Sequence, residues 1–73
     1  MSFNPENILS SREIQVERKH YFIEVRENSR GRFLKIVEEA HGRRNCVIVP
    51  STGLEEFVGC LNQMLAAARE AAA

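Results

Sequence analysis

The strongest constraint on the fold is an alternation of side chains between two faces in the middle of the chain. Tyr21, Ile23 and Val25 fall on one face of an extended segment, and Phe22 falls on the other with charged residues beside it. A period of two is that of a β-strand. Residues 27–31 then contain Asn and Gly, which enter left-handed backbone conformations at low cost. The pattern predicts a strand that leads into a hairpin.

The neighbouring segments continue this pattern. Residues 14–16 alternate before the central segment, and residues 32–38 alternate after it. The later segment places Leu34 and Ile36 on one face, and on the other Phe33, Lys35 and Val37. Residues 40–44 form a second turn, and residues 45–49 are a short last strand rich in β-branched side chains. We therefore predict three or four antiparallel strands joined by short turns.

A single helix is predicted after the strands. Pro50 ends the last strand, and Thr52 followed by Glu55 has the spacing of a capping box. We expect the helix to begin near Gly53. Spacings of three and four relate the apolar residues of this segment, which are Leu54, Phe57, Val58, Leu61, Met64, Leu65 and Ala68. The sequence predicts an α+β arrangement with this helix across one face of the sheet, and a flexible N-terminal arm at residues 1–11.

Length and charge limit what the chain does alone. A chain of 73 residues buries only about 60% of its unfolded surface, so association with a second chain is expected. Its 10 Lys and Arg balance 10 Asp and Glu, so a nucleic-acid site must rest on local separation of charge. The start has no signal pattern, and no apolar run reaches the roughly 18 residues of a membrane span. We expect a soluble, intracellular protein without a membrane partner, in the nucleus or cytoplasm of a eukaryote or the cytoplasm of a bacterium.

Residues that support catalysis or metal binding are not grouped in this sequence. Cys46 and Cys60 lack the paired spacing of a zinc site or of a disulfide scaffold, and we expect both to be buried free thiols. The sequence has neither a Gly-rich phosphate loop nor a Ser/His/Asp grouping. It therefore predicts no enzyme, no cofactor and no metal site.

The face of the predicted sheet that is left open combines aromatic rings with cations. It receives Phe22, Phe33, Lys35 and Arg26. Single-stranded nucleic acid needs rings on which bases stack and cations that neutralise phosphates. The pattern also allows Phe22 and Phe33 to be core residues of a dimer interface. Glu24 faces the same side and could pair with Lys35 across the strands, which would reduce the positive potential there.

Arginines gather in or beside the two predicted turns. They are Arg30, Arg32, Arg43 and Arg44. A planar guanidinium can reach a phosphate or a guanine edge with two hydrogen bonds. The alternative is that these side chains only solvate the turns.

Two stretches of the chain resemble the PUR repeat of the Pur-alpha family. Residues 19–36 read KHYFIEVRENSRGRFLKI, a basic-aromatic-aromatic start followed by an Arg-Gly-Arg-Phe block. Residues 47–57 read VIVPSTGLEEF and resemble the fourth strand and helix start of that repeat. Together the two stretches span most of residues 12–66. By this resemblance the chain is identified as a single-repeat member of the family, with residues 12–73 as one PUR repeat, half of a PUR domain.

The resemblance implies a fold and an assembly. The expected fold is a four-stranded antiparallel sheet followed by one C-terminal helix, a Whirly-like arrangement in which two repeats intertwine through their helices. Because only one repeat is present here, the resemblance implies an intertwined homodimer. The expected dimerisation residues are Leu54, Phe57, Val58, Leu61 and Leu65.

The resemblance also implies binding of single-stranded, purine-rich or guanine-rich DNA or RNA, with a role in transcription regulation. Phe33 is expected to stack on or wedge between bases, while the other site residues hold phosphates and guanine edges. The expected nucleic-acid-binding residues are Lys19, Arg26, Asn28, Arg30, Arg32, Phe33 and Lys35. The alternative from another class is a dimeric protein-interaction module without nucleic-acid binding.

Overall fold

The computed structural model describes residues 7–72 as one antiparallel sheet followed by a helix. The elements in chain order are β1 (Asn7–Val16), β2 (Lys19–Asn28), β3 (Gly31–Ala40), β4 (Arg43–Pro50), a 3-10 turn (Ser51–Gly53) and α1 (Leu54–Ala72). The strands lie in the order β1-β2-β3-β4. This confirms the predicted α+β fold of four antiparallel strands and one C-terminal helix.

The start of the sheet differs from the expected N-terminal arm. Residues 7–11 belong to β1, where Asn7 pairs with Glu27 and Ser11 pairs with Glu24. Regular apolar alternation is missing here, because Ile8 and Leu9 are adjacent and the register shifts between Ile8 and Ser10. The remaining part of the expected arm, residues 1–6, lies outside the described residues.

Two of the three turns contain a glycine at a positive φ, whereas in the β1–β2 turn it is Glu17 that takes φ of 56°. In the β3–β4 turn His41 and Gly42 have φ of 54° and 74°, the left-handed values that a tight hairpin requires. Gly31, which ends the β2–β3 turn, has φ of 131°. In that same turn the side-chain Oδ1 of Asn28 accepts a hydrogen bond from the backbone N–H of Arg30 at 2.9 Å. The turn chemistry therefore fixes the register of the two central strands.

That register divides the sheet into two faces as the alternation predicts. Phe22 lies opposite Val37, and Arg26 lies opposite Phe33. We call this side the charged face; its central residues are Phe22, Glu24, Arg26, Phe33, Lys35, Val37, Cys46 and Ile48. We call the other side the aliphatic face; its residues are Ile14, Val16, Tyr21, Ile23, Val25, Leu34, Ile36, Val47 and Val49. The two faces differ in chemistry at their centres, where Glu24, Arg26 and Lys35 lie on one side and Ile23, Val25 and Ile36 on the other.

The helix does not lie across the sheet, contrary to expectation. It contacts the sheet mainly at β4, and from Val58 to its end every residue is exposed. The short 3-10 turn after Pro50 has no side-chain cap hydrogen bond at its start, and α1 begins at Leu54, next to the predicted start near Gly53. Because this connection is short, the helix projects from the end of β4, and the molecule measures 56 × 31 × 16 Å.

A single chain has little core. Among residues 7–72 only Val37 and Val49 are buried, at 4% and 9% exposure. Leu61 on the helix remains 52% exposed. Cys46 and Cys60 are free but exposed, so the expectation of buried thiols was wrong. Apolar surface on the aliphatic face and on the helix is therefore left uncovered by the chain itself.

Within residues 7–72 no helix is long and apolar enough to cross a membrane.

Candidate nucleic-acid interface

The charged face carries an open depression beside the β2–β3 turn. Its volume is about 490 Å³. The residues that line it are Asn28, Arg30, Gly31, Arg32, Phe33, Ile48 and Pro50. Four of the predicted binding residues, Asn28, Arg30, Arg32 and Phe33, thus meet at one site. The Phe33 ring has Arg26 opposite it on β2 and Pro50 opposite it on β4, so both neighbouring strands flank it.

Arg26 is held in place by a carboxylate on the same strand. Its Nη2 lies 2.6 Å from Oε1 of Glu24, and its Nε donates to the same oxygen at 2.7 Å. Both side chains are about four-fifths buried, with 21% and 19% exposure. A charge-assisted pair of this kind orients the guanidinium beside Phe33 and also offsets part of its charge.

Lys35 does not form the pair with Glu24 that the sequence allowed. The two residues lie directly opposite each other on β2 and β3, but the Glu24 carboxylate contacts Arg26 instead. Within the described chain, Lys35 has no ion pair. Lys35 is therefore a cation on the charged face that makes no ion pair with a carboxylate of residues 7–72.

Lys19 and Arg32 point away from the charged face. By register they share the aliphatic side of the sheet, and each contacts a carboxylate there. Lys19 Nζ lies 3.1 Å from Glu38 Oε2, and Arg32 Nε donates to Glu27 Oε2 at 3.1 Å. Arg32 still borders the depression because it lies next to the turn. Lys19 is the predicted binding residue that the structure does not bring to the others.

The Lys19–Glu38 pair changes the ionisation of both groups. The hydrogen bond with Glu38, followed by its charge, raises the pKa of Lys19 above its ordinary value. The hydrogen bonds from Lys19 and then from Asn45 lower the pKa of Glu38. Both groups are therefore charged throughout the neutral range, and each offsets the other.

A second cluster on the charged face lies near the opposite end of the sheet. The His20 and Phe22 rings stack with centroids 4.4 Å apart and an angle of 27° between their planes. The guanidinium carbon of Arg44 lies 5.9 Å from the Phe22 ring centroid. Arg44 Nη1 also donates to Glu39 Oε2 at 2.8 Å. The sequence indicated Phe22 and Arg44 separately, but only the register across three strands brings them together.

The expected dimerisation residues form one stripe on α1. Leu54 and Phe57 are half-buried, whereas Val58, Leu61 and Leu65 are exposed. An amphipathic helix with an uncovered apolar stripe has a surface suited to packing against another element.

The arrangement supports binding by stacking and charge. In the described part of the chain, no group of three or more His, Cys, Asp or Glu could hold a metal ion. An aromatic ring among cations on an open sheet has the composition of a surface that stacks bases and neutralises phosphates. The fold and site thus define an open-sheet module of the nucleic-acid-binding type.

Comparison with known proteins identifies the family. Residues 3–72 match the family described as PurA ssDNA and RNA-binding protein, and the chain belongs to this family. That description names binding and no catalysed reaction. No solved structure matches the chain significantly.

Three curated relatives carry related names. The chain is 43% identical over 54 residues to Transcription factor Pur-alpha 1 of Arabidopsis thaliana, covering 74% of this chain and 18% of that protein. It is 33% identical over 61 residues to Transcriptional activator plp-1 of Caenorhabditis elegans, covering 84% and 27%. It is 25% identical over 75 residues to Purine-rich element-binding protein gamma of Homo sapiens, covering 85% and 22%. The chain thus spans only about a quarter or less of the length of these relatives.

Proposed function

We propose that this protein binds single-stranded, purine-rich DNA or RNA on the charged face of its sheet, without catalysis. The observation that supports this most directly is the position of Phe33 on an open strand, with Arg26 opposite it and Arg30 beside the same depression. Every base has a face that can stack on such a ring, and loss of one stacking aromatic typically costs about 1–3 kcal/mol.

Phosphate neutralisation is assigned to the cations around that ring. Lys35 and Arg30 are the best candidates, because neither has an ion pair within residues 7–72. With a net charge of zero, the protein has no long-range attraction to the backbone, so affinity rests on these local contacts. Binding should therefore weaken with salt by a log–log slope of about −0.7 for each phosphate contacted.

A preference for guanine follows from the donors at the site. An arginine can donate two parallel hydrogen bonds to O6 and N7 of guanine, a pairing that pyrimidines do not offer. Arg30 lies in the turn, where its side chain can reach a base stacked on Phe33. The name of the human relative, a purine-rich element-binding protein, supports the same preference.

We further propose that the binding unit is a homodimer joined through α1. Support comes from the apolar surface that one chain leaves open, on the aliphatic face and on the helix stripe. The residues assigned to the interface are Leu54, Phe57, Val58, Leu61 and Leu65. A second copy supplies a matching helix and sheet, and burying both surfaces would give the small chain the core it lacks.

The same uncovered apolar surface is the observation that favours a second candidate function, a module that docks another protein. The two functions differ in their response to salt. A phosphate-binding site weakens steeply between 50 and 200 mM salt, whereas an apolar protein interface does not.

The test is a fluorescence-polarisation titration of a labelled GGC-repeat single strand, with a pyrimidine strand of equal length beside it. Phe33→Ala and Lys35→Ala remove groups from the charged face, and Arg12→Ala removes an exposed cation from the opposite side of β1 as the matched control. We expect tighter binding of the purine strand, a loss of about tenfold or more for Phe33→Ala, and little change for Arg12→Ala. Equal losses for all three variants, or no binding by the parent at low salt, would overturn the proposal.

A further inference from the structure

A second concave surface lies at the end of the sheet away from the Phe33 depression. The β1–β2 and β3–β4 turns both fall at this end, because the four strands form an antiparallel meander. Between them is a pocket of about 430 Å³. We call it the turn pocket; the residues used below are Arg18, His20, Glu39, His41, Arg43 and Arg44.

The turn pocket has an excess of positive charge. Arg44 contacts Glu39 at 2.8 Å, and Glu39 is the carboxylate among the residues that line the pocket. In the part of the chain that the structure describes, Arg18 and Arg43 have no ion pair. Two guanidinium groups therefore remain to attract an anion, and arginine is well suited to phosphate because it can donate two parallel hydrogen bonds.

An aromatic stack borders the same pocket. His20 stacks on Phe22 at 4.4 Å, and His20 Nε2 lies 3.1 Å from Oε1 of Glu13. The ring is thus held from one side by Phe22 and at its edge by a carboxylate, while its side chain remains 38% exposed. A fixed, partly exposed imidazole can stack a nucleic-acid base.

The two surfaces lie along one line on the charged face. Phe33 and Glu39 are on the same side of β3, and at about 3.3 Å per residue they are about 20 Å apart. Lys35 lies between them on that side, and within residues 7–72 it has no ion pair. A cation therefore lies on the path from one surface to the other.

We propose that the turn pocket is a second contact for the same single strand that binds at Phe33. Arg18 and Arg43 take phosphates there, and the outer face of His20 stacks a base. This inference rests on the proposed function and adds to it a length requirement. A strand must cover about 20 Å to reach both contacts, so short strands use one contact and longer strands use two.

The experiment compares two strand lengths at several salt concentrations. Stacked nucleotides follow one another at about 3.4 Å, so a trinucleotide cannot cover 20 Å even at roughly twice that spacing, whereas a 12-nucleotide strand can. The variants are Arg18→Ala with Arg43→Ala in one protein, and His20→Ala in another. Arg12→Ala is the matched loss of a cation elsewhere, and Phe33→Ala reports on the first contact.

For the 12-nucleotide strand we expect the double arginine variant to bind about tenfold more weakly at 200 mM salt, with a salt slope shallower by about 1.4. His20→Ala should weaken binding severalfold and leave the slope unchanged, because it removes a stacking ring and keeps the arginines that contact phosphate. For the trinucleotide, measured by NMR titration, neither variant should change affinity, whereas Phe33→Ala should.

Two other results would overturn the inference. If the 12-nucleotide strand binds the double variant with parental affinity and slope, the turn pocket is not a contact, although a loss in Phe33→Ala would still support the first site. If neither strand binds the parent protein, the proposed function fails and the inference fails with it. Circular dichroism of each variant separates loss of contact from loss of fold.

Discussion

Glu24 holds Arg26 on the charged face through one oxygen, with Oε1 2.6 Å from Nη2 and 2.7 Å from Nε of the guanidinium. The pair is mostly buried, so solvent screens it less than it screens a surface ion pair. Glu24 is thus expected to have two opposing effects on the proposed binding. It orients a cation beside Phe33, and it adds a negative charge where phosphate is proposed to lie.

Removing that charge should strengthen binding of single strands. We expect Glu24→Gln to bind the purine strand about threefold more tightly at 50 mM salt, because the neutral amide no longer offsets Arg26. The matched control is Glu38→Gln, which removes a carboxylate that contacts Lys19 on the aliphatic side of the sheet, away from the Phe33 depression. Fluorescence polarisation measures both. Weaker binding by Glu24→Gln would mean that its orienting effect exceeds its electrostatic cost.

The Lys19–Glu38 pair gives a pH prediction. The pKa of Glu38 is lowered in the folded state, so its contribution to stability is present above its unfolded pKa and is lost as pH falls through the folded pKa. The pKa of Lys19 is raised, so its contribution is present below its unfolded pKa and is lost as pH rises through the folded value. The pair should therefore stabilise the protein evenly across the neutral range.

The measurement is the pKa of Lys19 by NMR in the parent and in Glu38→Gln. We expect the pKa of Lys19 to fall toward its ordinary value in the variant, because its main hydrogen-bond partner loses its charge. The stability difference between the two proteins should shrink in acid, below the ordinary carboxyl pKa of 4.5. An unchanged pKa of Lys19 would show that the ion pair does not form in solution.

The proposed dimer predicts that the exposed helix stripe tolerates no charge. Leu61→Asp should raise the protein concentration for half-dissociation by more than tenfold, because a carboxylate would be buried against the partner. Gln63→Glu is the matched control, since residue 63 lies on the side of α1 away from the stripe. Sedimentation equilibrium measures both variants. If Leu61→Asp remains as dimeric as Gln63→Glu, the helix stripe is not the interface.

Two glycines should respond to alanine in opposite directions. Gly31 has φ of 131°, a conformation that strains any side chain, so Gly31→Ala should destabilise the fold by about 1 kcal/mol or more. Gly59 lies in α1 with open space around it, so Gly59→Ala should stabilise by up to about 1 kcal/mol. Urea unfolding at one protein concentration measures both. If both variants change the free energy of unfolding by the same amount and in the same direction, the positive φ of Gly31 or the helical position of Gly59 is contradicted.

The sequence predicted the sheet better than it predicted the position of the helix. Alternation around Phe22 assigned each side chain to its face. This works because successive side chains of a strand point to opposite faces, whatever the rest of the chain does. The direction of α1 depends on what covers Leu61, and no local pattern contains that information. Likewise Glu24 had both Arg26 and Lys35 within reach, and side-chain torsions decide which one it contacts.

The clusters of the site were harder to predict than its individual residues. The stack of His20, Phe22 and Arg44 joins strands β2 and β4 across β3, so it follows from register that is fixed only when all turns are known. The position of Lys19, by contrast, follows from local alternation alone. Its resemblance to a family position suggested a binding role, whereas its place in the alternation puts it on the aliphatic side.

The central claim is that single strands bind on the charged face, and methyl NMR of the intact protein tests it most directly. Ile48 lies on the charged face and Ile36 on the aliphatic face, so the two isoleucines report on opposite sides of one sheet. On titration with the purine strand, we predict that signals of Ile48 and of the Phe33 ring shift while those of Ile36 and Val47 remain in place. Shifts concentrated at Ile36 and Val47, with Ile48 and Phe33 unmoved, would contradict the account.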